Sequence, residues 1–314
     1  MNKVVAILGA GPVGLAAAAH ALERGLEPLI FERGDSVAQA VRTWRHVPMF
    51  SNWRYNIDAA AARLLVPDGW TAPDPQAYPT GAELVADYLA PLGAALARHL
   101  RLGRRVVAVS REGLDKVKDA GRPAAPFLVE TEGAHGPERH RADAVIDCTG
   151  TWFQPNPGGA GRPVPGEAGH PHVSYAMPDV AGADRDRFAG KRIAVLGAGH
   201  SAIGTLIGLA DLPGTQAIWL CRAASIERAL GGGSADQLAA RGALGTEMAR
   251  MVADGRLRVL GMQVTLTLGV PAAQLQHLDR VLGGFEAYCT VTQSVSGAIP
   301  VAVSVRDAQG VLLK

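Results

Sequence analysis

Near its start the chain reads VVAILGAGPVG over residues 4–14. The apolar run 4–8 predicts a strand that is buried on both faces of a parallel sheet, and a G-x-G-x-x-G pattern follows it at once. Residues 15–24 then predict a helix that ends at Gly25, and Pro28–Phe31 predicts a second buried strand. The order of strand, glycine-rich loop, helix and strand indicates an α/β fold with a dinucleotide-binding loop.

Each glycine of this loop has a mechanical role. Gly9 permits the tight turn, Gly11 lets the backbone approach a pyrophosphate, and Gly14 lets the helix pack close to the strand. The helix N-terminus offers free N–H groups and a partial positive charge to phosphates. Glu32 ends the second strand, where its carboxylate can accept hydrogen bonds from ribose hydroxyls. The residues predicted to contact this first nucleotide are Gly9, Gly11, Pro12, Val13, Gly14, Glu32 and Arg33.

A second copy of the pattern lies far along the chain. Lys191–Leu196 predicts a strand, residues 197–202 read GAGHSA in the G-x-G-x-x-A form, and a helix is predicted from Ile203 toward Leu209. The next strand, Ala217–Leu220, leads into Cys221 and Arg222. The residues predicted to contact the second nucleotide are Gly197, Gly199, His200, Ser201, Ala202 and Arg222.

The residue after the second strand of this copy bears on which nucleotide binds. An acid there would favour NAD and would repel a 2′-phosphate, whereas the guanidinium of Arg222 suits bidentate contact with a phosphate. Arg222 therefore favours NADP(H) over NAD(H). The alternative is that Arg222 is an ordinary solvated residue at the end of a strand.

The segment between the two copies predicts further strands. Arg104–Val109 and Phe127–Thr131 read as neighbours, and Ala142–Cys148 reads as a strand that ends at Thr149-Gly150. Four prolines then predict a stiff crossover into the second fold: Pro155, Pro157, Pro163 and Pro165.

The strand Ala142–Cys148, which leads into Thr149-Gly150, is similar to the A-T-G strand of two-dinucleotide flavoproteins. The order of first glycine-rich loop, A-T-G-like strand and second glycine-rich loop resembles the flavin-containing monooxygenase group within the FAD-dependent, NAD(P)-binding oxidoreductases. The resemblance implies FAD at residues 9–14 and NADPH at residues 197–202, in two Rossmann-like three-layer domains, with the NADP domain inserted into the FAD domain. The expected domains are 1–155 for FAD, 165–260 for NADP, and a β-rich segment 262–314. That last segment either completes the FAD domain or reflects a truncated end.

The group's fingerprint F-x-G-x-x-x-H-x-x-x-(Y/F) is partly present. Gly166 and His170 match it, while Val164 and Ser174 replace its aromatic residues and Tyr175 stands one place late. This departure puts a strict assignment to the monooxygenase group in doubt and leaves the broader superfamily.

The segment Trp44–Asp58 is dense in aromatic, Arg and Asn residues and has no clear period. Such a segment can form a wall that stacks on a ring system or hydrogen-bonds to it, and the alternative is an ordinary packed loop. No side chain is assigned a catalytic role, because the flavin carries the redox chemistry. The remaining candidates for cofactor contact are Trp44, Asn52, Val107, Thr149 and Gly150.

Composition excludes several classes of function. A net charge of +2 gives no sign of a nucleic-acid partner, and no apolar run reaches the length of a membrane span. The three cysteines are far apart and form no C-x-x-C pair, which argues against structural zinc and against a redox-active dithiol, and no metal is expected. The missing signal-peptide pattern and the excess of arginine over lysine indicate a cytoplasmic, bacterial protein.

These observations predict an FAD-dependent oxidoreductase that uses NADPH to reduce its flavin, with monooxygenation of a small-molecule substrate as the first choice. One alternative is an NADPH–flavin reductase that passes electrons to a partner. Another is a degenerate nucleotide-binding protein without activity. A homodimer is one expected assembly.

Overall fold

A computed structural model describes residues 2–158, 163–220, 236–259, 262–288 and 301–314. The strands in these ranges are β1 (Val4–Leu8), β2 (Glu27–Phe31), β3 (Leu100–Arg101), β4 (Arg105–Arg111), β5 (Phe127–Gly133), β6 (Gly136–Ala142), β7 (Ala144–Asp147), β8 (Arg192–Leu196), β9 (Gln216–Leu220), β10 (Arg258–Val259), β11 (Met262–Thr267) and β12 (Val301–Arg306).

The α-helices in the same ranges are α1 (Pro12–Glu23), α2 (Gln39–Thr43), α3 (Trp53–Asn56), α4 (Ala59–Leu65), α5 (Gly81–Leu84), α6 (Ala90–Ala95), α7 (Arg185–Phe188), α8 (His200–Ala210), α9 (Ala239–Ala253) and α10 (Leu278–Tyr288). A π-helical turn, Val85–Leu89, joins α5 to α6, and short 3₁₀ turns lie at Val66–Asp68, Ala97–His99 and Ala272–Gln274. The chain divides into two units, Met1–Ala176 and Met177–Lys314.

The first unit is a three-layer arrangement around a parallel sheet of order β3-β2-β1-β7. Side chains of β1 alternate between the two faces of this sheet, as a strand with a period of two requires. Val5 and Ile7 join the core formed with the helices, whereas Ala6 and Leu8 join a second core shared with the antiparallel β4-β5-β6 sheet. The sheet is therefore covered on both faces, which explains why the run 4–8 is wholly apolar.

The second unit contains a parallel sheet of order β10-β9-β8. Helix α8 connects β8 to β9, and α9 precedes β10. One core contains apolar side chains from both helices and from the strands between them: Ile203, Leu206, Leu209, Ala217, Trp219, Met248 and Met251. Both helices therefore cover the same face of this sheet.

The described part of the C-terminal segment forms its own small sheet. Strands β11 and β12 pair in parallel, with Met262 opposite Val301, and α10 lies between them in sequence. Residues after 262 belong to the second unit. The predicted domain boundaries, and the proposed completion of the FAD domain by 262–314, stay predictions.

The predicted core elements are confirmed with small shifts in their ends. Helix α1 begins at Pro12 rather than at Leu15, because proline is favourable in the first turn of a helix, where its missing N–H is not needed. Gly25 adopts the left-handed conformation, with φ of 67°, just after that helix. At the end of the β-rich segment 262–314, a single bridge pairs Arg306 with Leu312.

Candidate nucleotide-binding sites

The first glycine-rich loop is tightly packed at two of its glycines. Gly9 has φ of 99°, and its N–H donates to the carbonyl of Phe31 at 2.7 Å. A Cβ atom at Gly9 would lie 2.8 Å from the carbonyl oxygen of Cys148, and one at Gly14 would collide with the carbonyl of Gly9. Both positions therefore need glycine to bring β1, α1 and β7 together.

The middle glycine is different, because a Cβ atom at Gly11 would meet nothing within 4 Å. Gly11 precedes the first turn of α1, where Pro12 and Val13 are exposed, Val13 to 69%. The first N–H groups of a helix have no partner inside it and attract anions. Open space beside exposed N–H groups fits the pyrophosphate of a dinucleotide.

Glu32 lies buried beside this loop. Its Oε2 accepts a hydrogen bond from the N–H of Ala10 at 2.9 Å, and its Oε1 accepts one from the N–H of Gly34 at 2.8 Å. Each carboxylate oxygen has a second lone pair, so the group can still accept a hydrogen bond from a ribose hydroxyl. The structure thus adds a role that the sequence did not indicate, which is to hold the loop at Ala10 against the end of β2.

The A-T-G-like strand β7 ends in a turn closed by a side chain. The N–H and the hydroxyl of Thr149 donate to Oδ1 of Asp147 at 3.0 and 2.7 Å, and these hydrogen bonds lower the pKa of that carboxyl. Gly150 follows with φ of 64°. The turn therefore lies at the carboxyl edge of the parallel sheet, beside the glycine-rich loop that follows β1.

Two aromatic contacts continue from this turn, and the sequence interpretation missed both. The guanidinium of Arg33 stacks on the ring of Phe153 at 3.8 Å, and the rings of Trp44 and Trp152 lie 6.4 Å apart. These contacts bring the chain after β7 to residues that follow β2. The predicted site residues Arg33 and Trp44 thus share one edge of the sheet with Thr149.

The segment after Trp44 runs antiparallel to residues 75–82. The N–H groups of Met49 and Trp53 donate to the carbonyls of Pro79 and Ala77, at 2.8 and 3.0 Å. Asn52 lies within this ribbon, is 7% exposed and is the N-cap residue of α3.

Asn52 carries a buried carboxamide oxygen that has no partner among the described residues. Its Nδ2 makes one long hydrogen bond, 3.4 Å, to Oε1 of Gln76. Leaving a buried acceptor unpaired costs about 1–3 kcal/mol. A buried orphan of this kind fits a bound group that donates an N–H or O–H.

Ala38 is a further residue that the sequence interpretation missed. It adopts the left-handed conformation, with φ of 59°, and its N–H donates to the carbonyl of Ala10 at 2.9 Å. It thereby ties the start of α2 to the glycine-rich loop. Val107 lies at an irregular position of β4 and is 44% exposed, and its contact with a cofactor stays a prediction.

The fingerprint segment is organised around a residue that the motif does not include. The carboxylate of Glu167 accepts hydrogen bonds from the N–H groups of Gly158 and Val164, at 2.6 and 2.8 Å, and from the hydroxyl of Tyr175 at 2.5 Å. Buried Glu167 therefore fixes the crossover segment through these hydrogen bonds, and the stiffening by prolines stays a prediction.

The second glycine-rich loop repeats the geometry of the first. Gly197 has φ of 131°, and its N–H donates to the carbonyl of Leu220 at 2.8 Å. A Cβ atom at Gly197 would lie at an ordinary contact distance, 3.7 Å, from that of Ala202, and one at Gly199 would meet nothing within 4 Å. Open space again lies beside the middle glycine, and this fits a second pyrophosphate.

Trp219 holds this loop in place through a hydrogen bond. Its indole is fully buried, and Nε1–H donates to the carbonyl of Gly197 at 2.7 Å. His200 and Ser201 form the first turn of α8. Arg222, on which the preference for NADP rests, lies outside the described residues, as does Cys221.

An ion pair marks the start of α9. The side chain of Asp236 is 6% exposed, and its carboxylate accepts hydrogen bonds from Nε and Nη2 of Arg241, at 2.8 and 2.7 Å. These hydrogen bonds lower the pKa of Asp236. The sequence interpretation assigned no role to either residue.

The family model for pyridine nucleotide-disulphide oxidoreductases matches residues 6–230. The chain belongs to this family. The family depends on a flavin and a pyridine nucleotide, so the expected superfamily and the expected FAD and pyridine nucleotide are confirmed. No curated protein matches the chain.

Two solved structures, both of bacillithiol disulfide reductases, support the fold. Bacillithiol disulfide reductase from Bacillus cereus is 21% identical with a TM-score of 0.62, and the match covers 82% of this chain and 67% of that one. The enzyme of the same name from Staphylococcus aureus is 17% identical with a TM-score of 0.55, covering 82% and 66%. The S-allyl-L-cysteine S-oxygenase of Allium sativum is 18% identical with a TM-score of 0.47, covering 71% and 52%. The chain thus spans about two thirds of the length of the reductases.

The described ranges bear on two other classes of protein, those that span membranes and those that bind metal ions. Within the described ranges, no helix is long and apolar enough to cross a membrane. No group of three or more His, Cys, Asp or Glu side chains in those ranges could hold a metal ion.

Proposed function

We propose that the chain is an FAD-dependent oxidoreductase that uses NADPH to reduce its flavin and inserts one oxygen atom of O₂ into a small-molecule substrate. The observation that carries the proposal is the pair of glycine-rich loops, each with open space beside its middle glycine, Gly11 or Gly199. Membership in a flavin- and pyridine-nucleotide-dependent family supports the same assignment.

The residues around the first loop suit FAD. The first-turn N–H groups at Val13 and Gly14 would bind the pyrophosphate, and Glu32 would accept from the ribose. When bound, FAD supplies the redox chemistry, taking two electrons from NADPH and passing them onward. Asn52 Oδ1 offers a buried acceptor for a bound N–H or O–H.

The choice of oxygen as acceptor rests on the cysteines. Reduction of a disulfide through the protein's own thiols uses a closely spaced cysteine pair, and the chain has only Cys148, Cys221 and Cys289, which are far apart in sequence. Burial and the neighbouring Asp147 raise the pKa of the Cys148 thiol, which disfavours the reactive thiolate. Oxygen transfer to a small substrate does not require a protein thiol.

The test begins with the absorption spectrum of the purified protein. We expect flavin bands, before or after reconstitution with FAD, that NADPH bleaches under anaerobic conditions. A protein that stays colourless after incubation with FAD would be a nucleotide-binding protein without activity, and the proposal would be wrong. Incorporation of ¹⁸O from O₂ into product separates a monooxygenase from a flavin reductase, which would consume NADPH without labelling a product.

A further inference from the structure

We propose that Arg241, held by Asp236 at the start of α9, binds a phosphate group of the pyridine nucleotide at the second dinucleotide fold. The inference rests on the proposed function, because it requires a pyridine nucleotide at the Gly197–Ala202 loop. It adds a binding residue that lies outside the glycine motif and in a different helix.

The topology brings the start of α9 to the same edge of the sheet as the loop. The strands β8, β9 and β10 are parallel and adjacent, and α8 and α9 share one core on one face. Each helix returns from the carboxyl end of one strand to the start of the next, so the two helices run in the same direction. Their N-termini therefore both lie at the carboxyl edge, where open α/β sheets bind ligands.

Packing brings α8 and α9 against each other. Gly242 and Gly245, in the first turns of α9, are buried, and small buried residues allow a neighbouring helix to come near. The pKa of Asp236 is lowered first by the hydrogen bonds from Arg241 and then by the N–H of Leu238, and His200 in the first turn of α8 adds to this effect. This agrees with the packing of α8 against α9 in one core.

Arg241 keeps donors for a second partner. Its Nε–H and one hydrogen of Nη2 bind the carboxylate of Asp236, and the side chain is 37% exposed. An arginine has five N–H donors, so three remain without a partner in the described ranges. A guanidinium fixed by a buried carboxylate loses little freedom when it binds a phosphate.

The alternative is that the ion pair binds no ligand and only stabilises the start of α9. Arg250 provides the matched comparison, because it lies in the last turn of the same helix and pairs with Glu247 at 2.5 Å and with Asp254 at 3.3 Å. Arg250 is an exposed, ion-paired arginine at the opposite end of α9, away from the carboxyl edge of the sheet.

The experiment measures NADPH and NADH affinity of the full chain by calorimetry for the wild type, Arg241→Gln and Arg250→Gln. We expect Arg241→Gln to weaken NADPH binding by about tenfold or more and Arg250→Gln to leave it unchanged. A loss confined to NADPH identifies the 2′-phosphate as the group bound. An equal loss for NADH identifies the pyrophosphate.

A second variant protects the test against misfolding. Asp236→Asn with Arg241→Gln removes both charges at once, so no buried carboxylate is left unpaired, and it should show the same loss with an unchanged melting temperature. Unchanged NADPH affinity in both Arg241 variants would overturn this inference alone. A wild-type protein that bound neither NADPH nor NADH would overturn the proposed function and this inference together.

Discussion

Gly11 and Gly14 occupy one loop, yet different constraints act on them. A side chain at Gly14 collides with the carbonyl of Gly9, which is part of the fold itself. A side chain at Gly11 meets nothing within 4 Å, and the backbone there has φ of −79°, which any residue adopts. Gly14 is therefore needed for packing, whereas nothing in the described fold requires glycine at position 11, which fits the predicted role of Gly11 in ligand binding.

Alanine at the two positions should separate these constraints. We expect Gly14→Ala to lower the free energy of unfolding by about 2 kcal/mol or more, because helix and strand must move apart. We expect Gly11→Ala to leave the stability of the apoprotein unchanged while it weakens FAD binding by at least about tenfold. Thermal unfolding and flavin titration measure the two effects, and a stable, FAD-binding Gly14→Ala would contradict the packing argument.

Asn52 allows a similar separation within α3. We expect Asn52→Leu to keep or raise apoprotein stability, by about 1 kcal/mol, because it removes an unpaired buried acceptor. The same change should reduce the rise in melting temperature that FAD produces. The control is Asn56, whose carboxamide is fully engaged with Ser51 at 2.6 and 2.8 Å. Asn56→Leu should destabilise the apoprotein and leave the effect of FAD intact; the reverse pattern would refute the role of Asn52.

Among the strands, β6 is one that the hydrophobic pattern of the sequence does not predict. The run Gly136–Ala142 is mostly polar, yet it forms a full strand, because β5 supplies its hydrogen-bonding partner and the other face of the strand is solvated. Strand β1, in contrast, was predicted because a parallel strand that is buried on both faces must be apolar throughout. Strand β8 was predicted because it repeats that pattern, although one of its faces is exposed. The glycine loops were predicted because their motif is also a short, local sequence pattern. Trp152, Phe153 and Glu167 were missed because they act through contacts between segments, which no local pattern records.

The meander of β4, β5 and β6 contacts the nucleotide-binding sheet through His140. Its ring lies 4.7 Å from that of Phe31, and Nε2 is 3.3 Å from the hydroxyl of buried Thr131. Burial lowers the pKa of His140; Glu138, at 3.5 Å, opposes this effect, and the charges of Arg101 and Arg104 add to it. The neutral imidazole is the form that the packed layers favour.

The lowered pKa of His140 makes the stability of the protein depend on pH. The pKa of His140 is lower in the folded protein than its ordinary value of 6.5. Its contribution to the free energy of unfolding is therefore complete above pH 6.5 and is lost as the pH falls through the pKa of the folded state. We expect the melting temperature of the wild type to drop by about 2 °C or more relative to His140→Gln between pH 7.5 and 5.5. Parallel curves for the two proteins would show that His140 does not titrate in this range.

For the whole molecule, the two nucleotide loops belong to separate units, each with its own core. Hydrogen exchange of the backbone amides should show which nucleotide protects which loop. We expect FAD to slow exchange around residues 9–15 and 32–38, and NADPH to slow exchange around residues 197–203 and at the start of α9. Protection by both nucleotides at the same single loop would contradict the assignment of one nucleotide to each unit.

The buried indole of Trp219 donates to the first glycine of the second loop. Indole fluorescence depends on the polarity and hydrogen bonding around the ring, so this side chain reports optically on the loop that it holds. Because NADPH absorbs in the range where indoles emit, its arrival beside Gly197 would quench this emission by energy transfer. Of the five tryptophans in the chain, Trp219 is hydrogen-bonded to this loop, so loss of its share of the emission would report binding of NADPH there.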